Sequence, residues 1–312
     1  MRRGLIAVTG AAVCMALVSG CGGSSSKGKD DLVFVSTRDG AYELYAMNAD
    51  GSHQHRLTPD HGNNSKPSQL YYQLDPAWAP NGKLIAFSSQ RDGRSHIFVV
   101  TADGKHTTRL TAGAQSDTHP TWSPDGGQIA FTRGSPGAIE AMNADGTHVH
   151  RVTPTSFVNE GGSEGDPAWS PDGKWIAYDV KIVGGTTSEI WLVHPDGSDA
   201  HAVVRAVADS ISPTWSPDSK QIAFSSDNGG TTLSIYTIGV GGHGMRLVTQ
   251  QDRDAVDPAW SANGRQIAFS TDGAITTVVV GASGDVSQLT NPKNNDSSPA
   301  WNPVQPKTGN GY

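Results

Sequence analysis

Cysteine is almost absent from this chain. Two occur in 312 residues, and Cys14 lies inside an uncharged N-terminal run. Without that run only Cys21 remains, so no intrachain disulfide can form and the fold must rest on its own core. Long apolar stretches are missing too. After residue 20 nothing approaches the ~20 apolar residues that a membrane span requires. Helical periodicity of useful length is lacking. Basic residues do not dominate, with 23 Lys and Arg against 30 Asp and Glu for a formal charge of −7. That balance argues against nucleic acid as a partner and leans towards a cationic or neutral ligand. No His-Glu-x-x-His, phosphate loop or dinucleotide fingerprint occurs.

What is present is turn chemistry. Glycine (37) and proline (18) are abundant, and short apolar runs lie between them. Such a composition predicts a turn-rich β protein.

The N-terminus reads as an export signal: a basic Met1-Arg2-Arg3, an apolar run from Gly4 to Val18, then Ser19-Gly20-Cys21. This resembles the lipobox of bacterial lipoproteins. The resemblance implies lipidation of Cys21 and cleavage after Gly20. The expected organisation is a signal peptide over 1–20, a flexible tether over 21–31, a folded domain over 32–303 and a tail over 304–312. Removal of residues 1–20 leaves 292 residues with a formal charge of −9. The mature protein is expected outside the cytoplasm as a monomer, tied to a bacterial membrane by its lipid.

The folded span is a repeat. Trp78, Trp122, Trp169, Trp215, Trp260 and Trp301 share one context and stand 44, 47, 46, 45 and 41 residues apart. Asp166-Pro167-Ala168-Trp169-Ser170-Pro171-Asp172-Gly173 is typical. Five of the six are followed at a fixed distance by Ile-Ala-Phe or Ile-Ala-Tyr, such as Ile85-Ala86-Phe87. Each repeat holds four strand signals joined by Asp-Gly or Asn-Gly turns, which supply the positive φ of tight hairpins. Six four-stranded sheets around an axis bury one another's faces. The predicted fold is an all-β, six-bladed propeller. Leu32 to Phe34 aligns with a second strand, so Ser298 to Pro303 must supply the missing first strand and close the ring.

The Trp-Ser-Pro-Asp-Gly-x-x-Ile-Ala-Phe repeat resembles that of the TolB-like propellers over essentially all of residues 32–303. The resemblance implies a propeller of the cell envelope that binds protein. TolB-type chains carry an additional N-terminal α/β domain, and oligopeptidases with similar blades carry an α/β-hydrolase domain. The eleven residues of tether and nine of tail give room for neither, which weakens a full TolB role.

Propeller topology puts the strand 1–2 and 3–4 turns on one face. The longer, irregular connections fall on the other: 59–74, 153–165, 181–188 and 250–256. Binding is expected on that variable face, pointing away from the membrane. The segment Leu70-Tyr71-Tyr72 is its exposed aromatic candidate. The residue before each repeat proline enters the innermost strand at the channel mouth: Asp75, His119, Asp166, Ser212, Asp257 and Ser298. Asp75, Asp166 and Asp257 recur every 91 residues. At about 8 Å and an effective dielectric of ~20, each pair would repel by ~2 kcal/mol. Such repulsion favours a bound Ca²⁺ or Mg²⁺, a raised pKa or a cationic ligand group. Capping of each Asp's own turn is the plainer alternative.

Two further patterns resemble chemistry. Gly161-Gly162-Ser163-Glu164-Gly165 matches a nucleophile elbow but is read as a blade-to-blade loop without the flanking strand and helix. His53/His55 and His148/His150 have zinc-compatible spacing, but with His106 and His201 they follow strand 3–4 turns and read as rim decoration. No catalytic residue is assigned. The expected function is a non-catalytic binding or scaffold module for an envelope protein, peptide or glycan. The alternative is a glycan lyase or hydrolase using the channel-mouth Asp and His residues.

Overall fold

The computed structural model describes residues 30–58, 72–90, 93–154, 162–182, 184, 187–205, 208–250, 252–281 and 286–304. The export signal, Cys21, Leu70, Tyr71 and the tail beyond residue 304 lie outside the described residues. Six four-stranded antiparallel sheets form a ring. Their innermost strands are Ser297–Trp301, Gln73–Trp78, Asp117–Trp122, Ser163–Trp169, Ser210–Trp215 and Val256–Trp260, for blades 1 to 6. Blade 1 joins the far end of the chain to its near end. Trp301 pairs with Leu32, and Ala300 with Val33. Asn302 N–H donates to the Asp31 carbonyl at 2.8 Å.

The six-fold closure follows from alternation along the second strand. Successive side chains of a strand point to opposite faces. Ile85 and Phe87 face blade 1, against Val33, Val35 and Leu44. Ala86 faces blade 3, against Ile129 and Phe131. The same arrangement recurs at each junction, ending with Ala268 against Leu32 and Phe34. Alanine lets one sheet approach the bulky face of the next, and these side chains are essentially fully buried. The strand 3–4 turns add a second close approach. Gly104 has φ +73°, and a Cβ there would fall 1.9 Å from the Leu57 carbonyl oxygen of the preceding blade. Only glycine fits that position.

One expectation needs correction. Ser163 is not in a loop: it begins the innermost strand of blade 4. There its Oγ accepts a hydrogen bond from Gly137 N–H at 2.9 Å. Pairing to a neighbouring strand placed it there, since Ser163 and Glu164 stand opposite Lys181 and Val180. Tyr72 packs rather than projecting alone, with its ring 5.1 Å from that of Tyr42.

Candidate functional site: the axial mouth

The innermost strand of every blade is broken at the same place. In blade 2 Leu74 pairs with Ser88 but Ala77 pairs with Ala86, so Asp75 and Pro76 together oppose one residue. The same slip occurs in the other five blades. It is a β-bulge, which bends a strand and re-aims a side chain. The first bulge residue has positive φ each time: Asp75 54°, His119 50°, Asp166 47°, Ser212 53°, Asp257 53° and Ser298 50°. For side-chain-bearing residues this backbone is costly, by about 1–3 kcal/mol each. The six side chains ring an axial cavity of about 290 Å³, walled by the prolines that follow them. All six residues expected at the mouth are therefore brought together.

Their hydrogen bonds run both to the next blade and to the second strand of their own blade. Asp166 Oδ2 accepts from Ser212 Oγ at 2.9 Å. Asp257 Oδ2 accepts from Ser298 Oγ at 3.4 Å. Asp75 Oδ2 accepts from Ser88 Oγ at 2.8 Å and from His119 N–H at 3.4 Å. His119 Nε2 sits between two carboxylates, 3.1 Å from Asp166 Oδ1 and 3.5 Å from Asp75 Oδ1.

The electrostatics follow from this crowding. Burial works against a charge on His119. Asp166, Asp75, Asp179 and Asp257 outweigh it and raise the imidazole pKa to about 9. The His119 side chain is 41% exposed at the open mouth, so solvent screens part of this attraction. Burial, then Asp166 and Asp75, push Asp257 up to about 6, with His119 and Ser298 acting against them. At neutral pH the mouth thus carries one imidazolium among several carboxylates.

The sequence reading missed Asp179. Its carboxyl lies beside the same mouth, and burial followed by Asp166 holds it well above the usual carboxylate range. Its Oδ1 is buried without a hydrogen-bond partner. Gly165 opposite makes room for it, since a Cβ there would stand 3.3 Å from the carboxyl oxygens. A signal existed in the repeat: Asp179 occupies the position of Ser88, Thr132, Ser225 and Ser270. Among the described residues, no three His, Cys, Asp or Glu side chains converge so as to hold a metal ion. The positive charge between Asp75 and Asp166 is the chain's own His119. The rim histidines lie far from this centre in the repeat. His53, His148 and His201 follow the strand 3–4 turns, and their local partners are Asn48, Asn143 and the Asp199 carbonyl.

Fold and mouth together define a β-propeller with an axial, acid-rimmed recess. The TolB beta propeller domain matches residues 68–161 and 155–306. That is well over half of the sequence, and the chain belongs to this family. It is 32% identical over 109 residues to an uncharacterized protein of Agrobacterium fabrum, covering 35% of this chain and 34% of that protein. It is 29% identical over 125 residues to the Tol-Pal system protein TolB of Desulfosudis oleivorans, covering 39% of this chain and 26% of that one. These matches span about a third or less of the relatives' length. The crystal structure of TolB from Acinetobacter baumannii has a similar fold, with a TM-score of 0.71 at 19% identity over 89% of this chain and 68% of that one. No helix among the described residues is long and apolar enough to cross a membrane.

Proposed function

We propose that this chain is a non-catalytic binding or scaffold module of the bacterial cell envelope, anchored through lipid on Cys21. Its axial mouth takes a cationic group of a protein or peptide partner. The observation that carries this reading is the charge count at the mouth. Asp75 and Asp166 share one internal cation, His119, with Asp257 close enough to act on it, on a backbone fixed by six bulges. A lysine ammonium or arginine guanidinium entering the recess would meet acceptors already in place, with little ordering left to do. Family membership supports the scaffold role, and a relative bears the name of a Tol-Pal system protein.

A glycan lyase or hydrolase using the channel-mouth residues Asp75, His119, Asp166 and Asp257 is the second reading. A lyase using His119 as its base needs a neutral imidazole, which the carboxylates that raise its pKa to about 9 disfavour. A Ca²⁺ or Mg²⁺ ion among Asp75, Asp166 and Asp257 would need at least three converging ligands, and no such group occurs among the described residues.

The mature chain should capture one stoichiometric protein from envelope extract, and Asp75→Asn with Asp166→Asn should lose it. Calorimetry with Ca²⁺ and Mg²⁺ separates the ion reading. Undiminished capture by the double variant, or turnover of a glycan by the wild type, would overturn the proposal.

A further inference from the structure

Blade 6 departs from the other five at three neighbouring positions. The first lies opposite the aromatic residue of the second strand. There the third strand supplies Tyr45 against Phe34, Phe98 against Phe87, Trp191 against Tyr178 and Tyr236 against Phe224. Ring centroids are 6.0, 5.8 and 6.2 Å apart in blades 1, 2 and 5. In blade 3 Glu140 stands there and draws Arg133 over the Phe131 ring at 5.0 Å. In blade 6 the residue opposite Phe269 is Thr276.

The second position is the outer-strand neighbour. It is Arg56, Arg109 and Arg151 in blades 1 to 3, Ala202 and Leu247 in blades 4 and 5, and Gln288 in blade 6. The third lies two residues before the bulge. Asp296, Gln73, Asp117, Glu164 and Ser210 hold it in blades 1 to 5, and Ala255 holds it in blade 6. The first and third changes put smaller groups, Thr276 and Ala255, beside a Phe269 ring that stays buried. The result is a cleft of about 280 Å³ whose walls include Ala255, Phe269, Thr276 and Gln288. Arg253 and Asp272 also line it, joined at 3.0 Å and both well exposed.

The other blades show what fits such a space. In blade 1 the Tyr45 ring lies beside Phe34, and the Arg38 guanidinium stands 4.4 Å from its centre. An apolar protein cavity of ~150 Å³ already admits benzene, so this larger cleft accommodates a bicycle. We propose that the cleft of blade 6 binds a small planar aromatic molecule with a hydrogen-bonding edge, of the indole or phenol class. Its ring lies over Thr276, towards the place that an aromatic side chain takes in blades 1, 2, 4 and 5, at the edge of the buried Phe269. Its polar edge faces Gln288 and the Arg253–Asp272 pair. The site is separate from the axial mouth and stands or falls independently of it.

Indole is the probe. Titrated into the full chain and followed by methyl NMR, it should give saturable shifts at Thr276 and Val286. Thr276→Tyr restores the ring found in blades 1 and 5. It should weaken binding at least tenfold and keep or raise Tm. Gln288→Arg restores the arginine of blades 1 to 3, should also weaken binding, and decides the matter if the first variant does not fold. No saturation by about 5 mM, shifts confined to other blades, or indole affinity unchanged in the folded variants would overturn the proposal.

Discussion

The layers between blades and the ring around the axis obey opposite rules. Between blades the chemistry is kept: Ile85 and Phe87, Ile129 and Phe131, Ile222 and Phe224 face the same kind of neighbour at each junction. Around the axis the backbone is kept and the chemistry changes. Six bulges with nearly the same positive φ present Asp, His and Ser in turn. Invariance at a packed position reflects density, because one methylene more or less is felt there. Variation on a strained, repeated backbone reflects use, since the strain persists whichever side chain is displayed.

The contrast can be tested from its strongest end downward. Phe224→Ala opens a cavity in a fully buried layer. It should cost about 3–5 kcal/mol, read from the urea midpoint, and a loss below ~1 kcal/mol would mean the layers are looser than described. Gly104→Ala forces a Cβ against the Leu57 carbonyl at positive φ. A loss of roughly 1–3 kcal/mol in the same assay is expected. Asp166→Asn removes the largest attraction on His119. The imidazole titration followed by NMR should fall from about 9 towards the ordinary histidine value of 6.5, and an unmoved titration would break the link between them.

Stability against pH probes the same ring. A raised histidine pKa means the folded state holds its proton more tightly. Its contribution is complete below about 6.5 and lost as pH rises through about 9. Asp257 is also raised, so the folded state favours its protonated form. That contribution is complete below about 3.8 and gone above about 6. Thermal melts should therefore show the channel's contribution declining from pH 4 to 9, and His119→Gln should flatten the alkaline part. The smallest effect is expected from Ser212→Ala, which loses one partly buried hydrogen bond to Asp166 and should cost about 1 kcal/mol or less.

Most of the fold was legible because repetition multiplies weak signals. One Ile-Ala-Phe is ambiguous, but five at a fixed distance from a tryptophan are not. The closing strand followed from counting, since Leu32-Val33-Phe34 had no first strand beside it. The six mouth residues were legible as positions. Their backbone was not: a residue before proline reads as extended, and the bulge that turns it to positive φ is imposed by pairing with the second strand. The blade-to-blade links were hidden for the same reason, since Asp166 reaches Ser212 across 46 residues. Asp179 was overlooked because it follows Tyr178 inside a strand that read as core. Only the six second strands set side by side show one carboxylate where serine and threonine prevail. The lipid anchor expected at Cys21 belongs to a part of the chain that the structure does not describe.

The closing strand has a kinetic side. Residues 32–56 leave the ribosome early, yet their sheet lacks its inner edge until 297–301 follow. Val33 and Ala300 are 267 residues apart, and a closure of that length costs on the order of 5 kcal/mol in chain entropy. Until it is made, Leu32–Ser36 offers unpaired backbone to any strand that arrives first. In a concentrated refolding mixture the nearest such strand belongs to another copy, so exchanged dimers should accumulate with protein concentration and be suppressed by dilution.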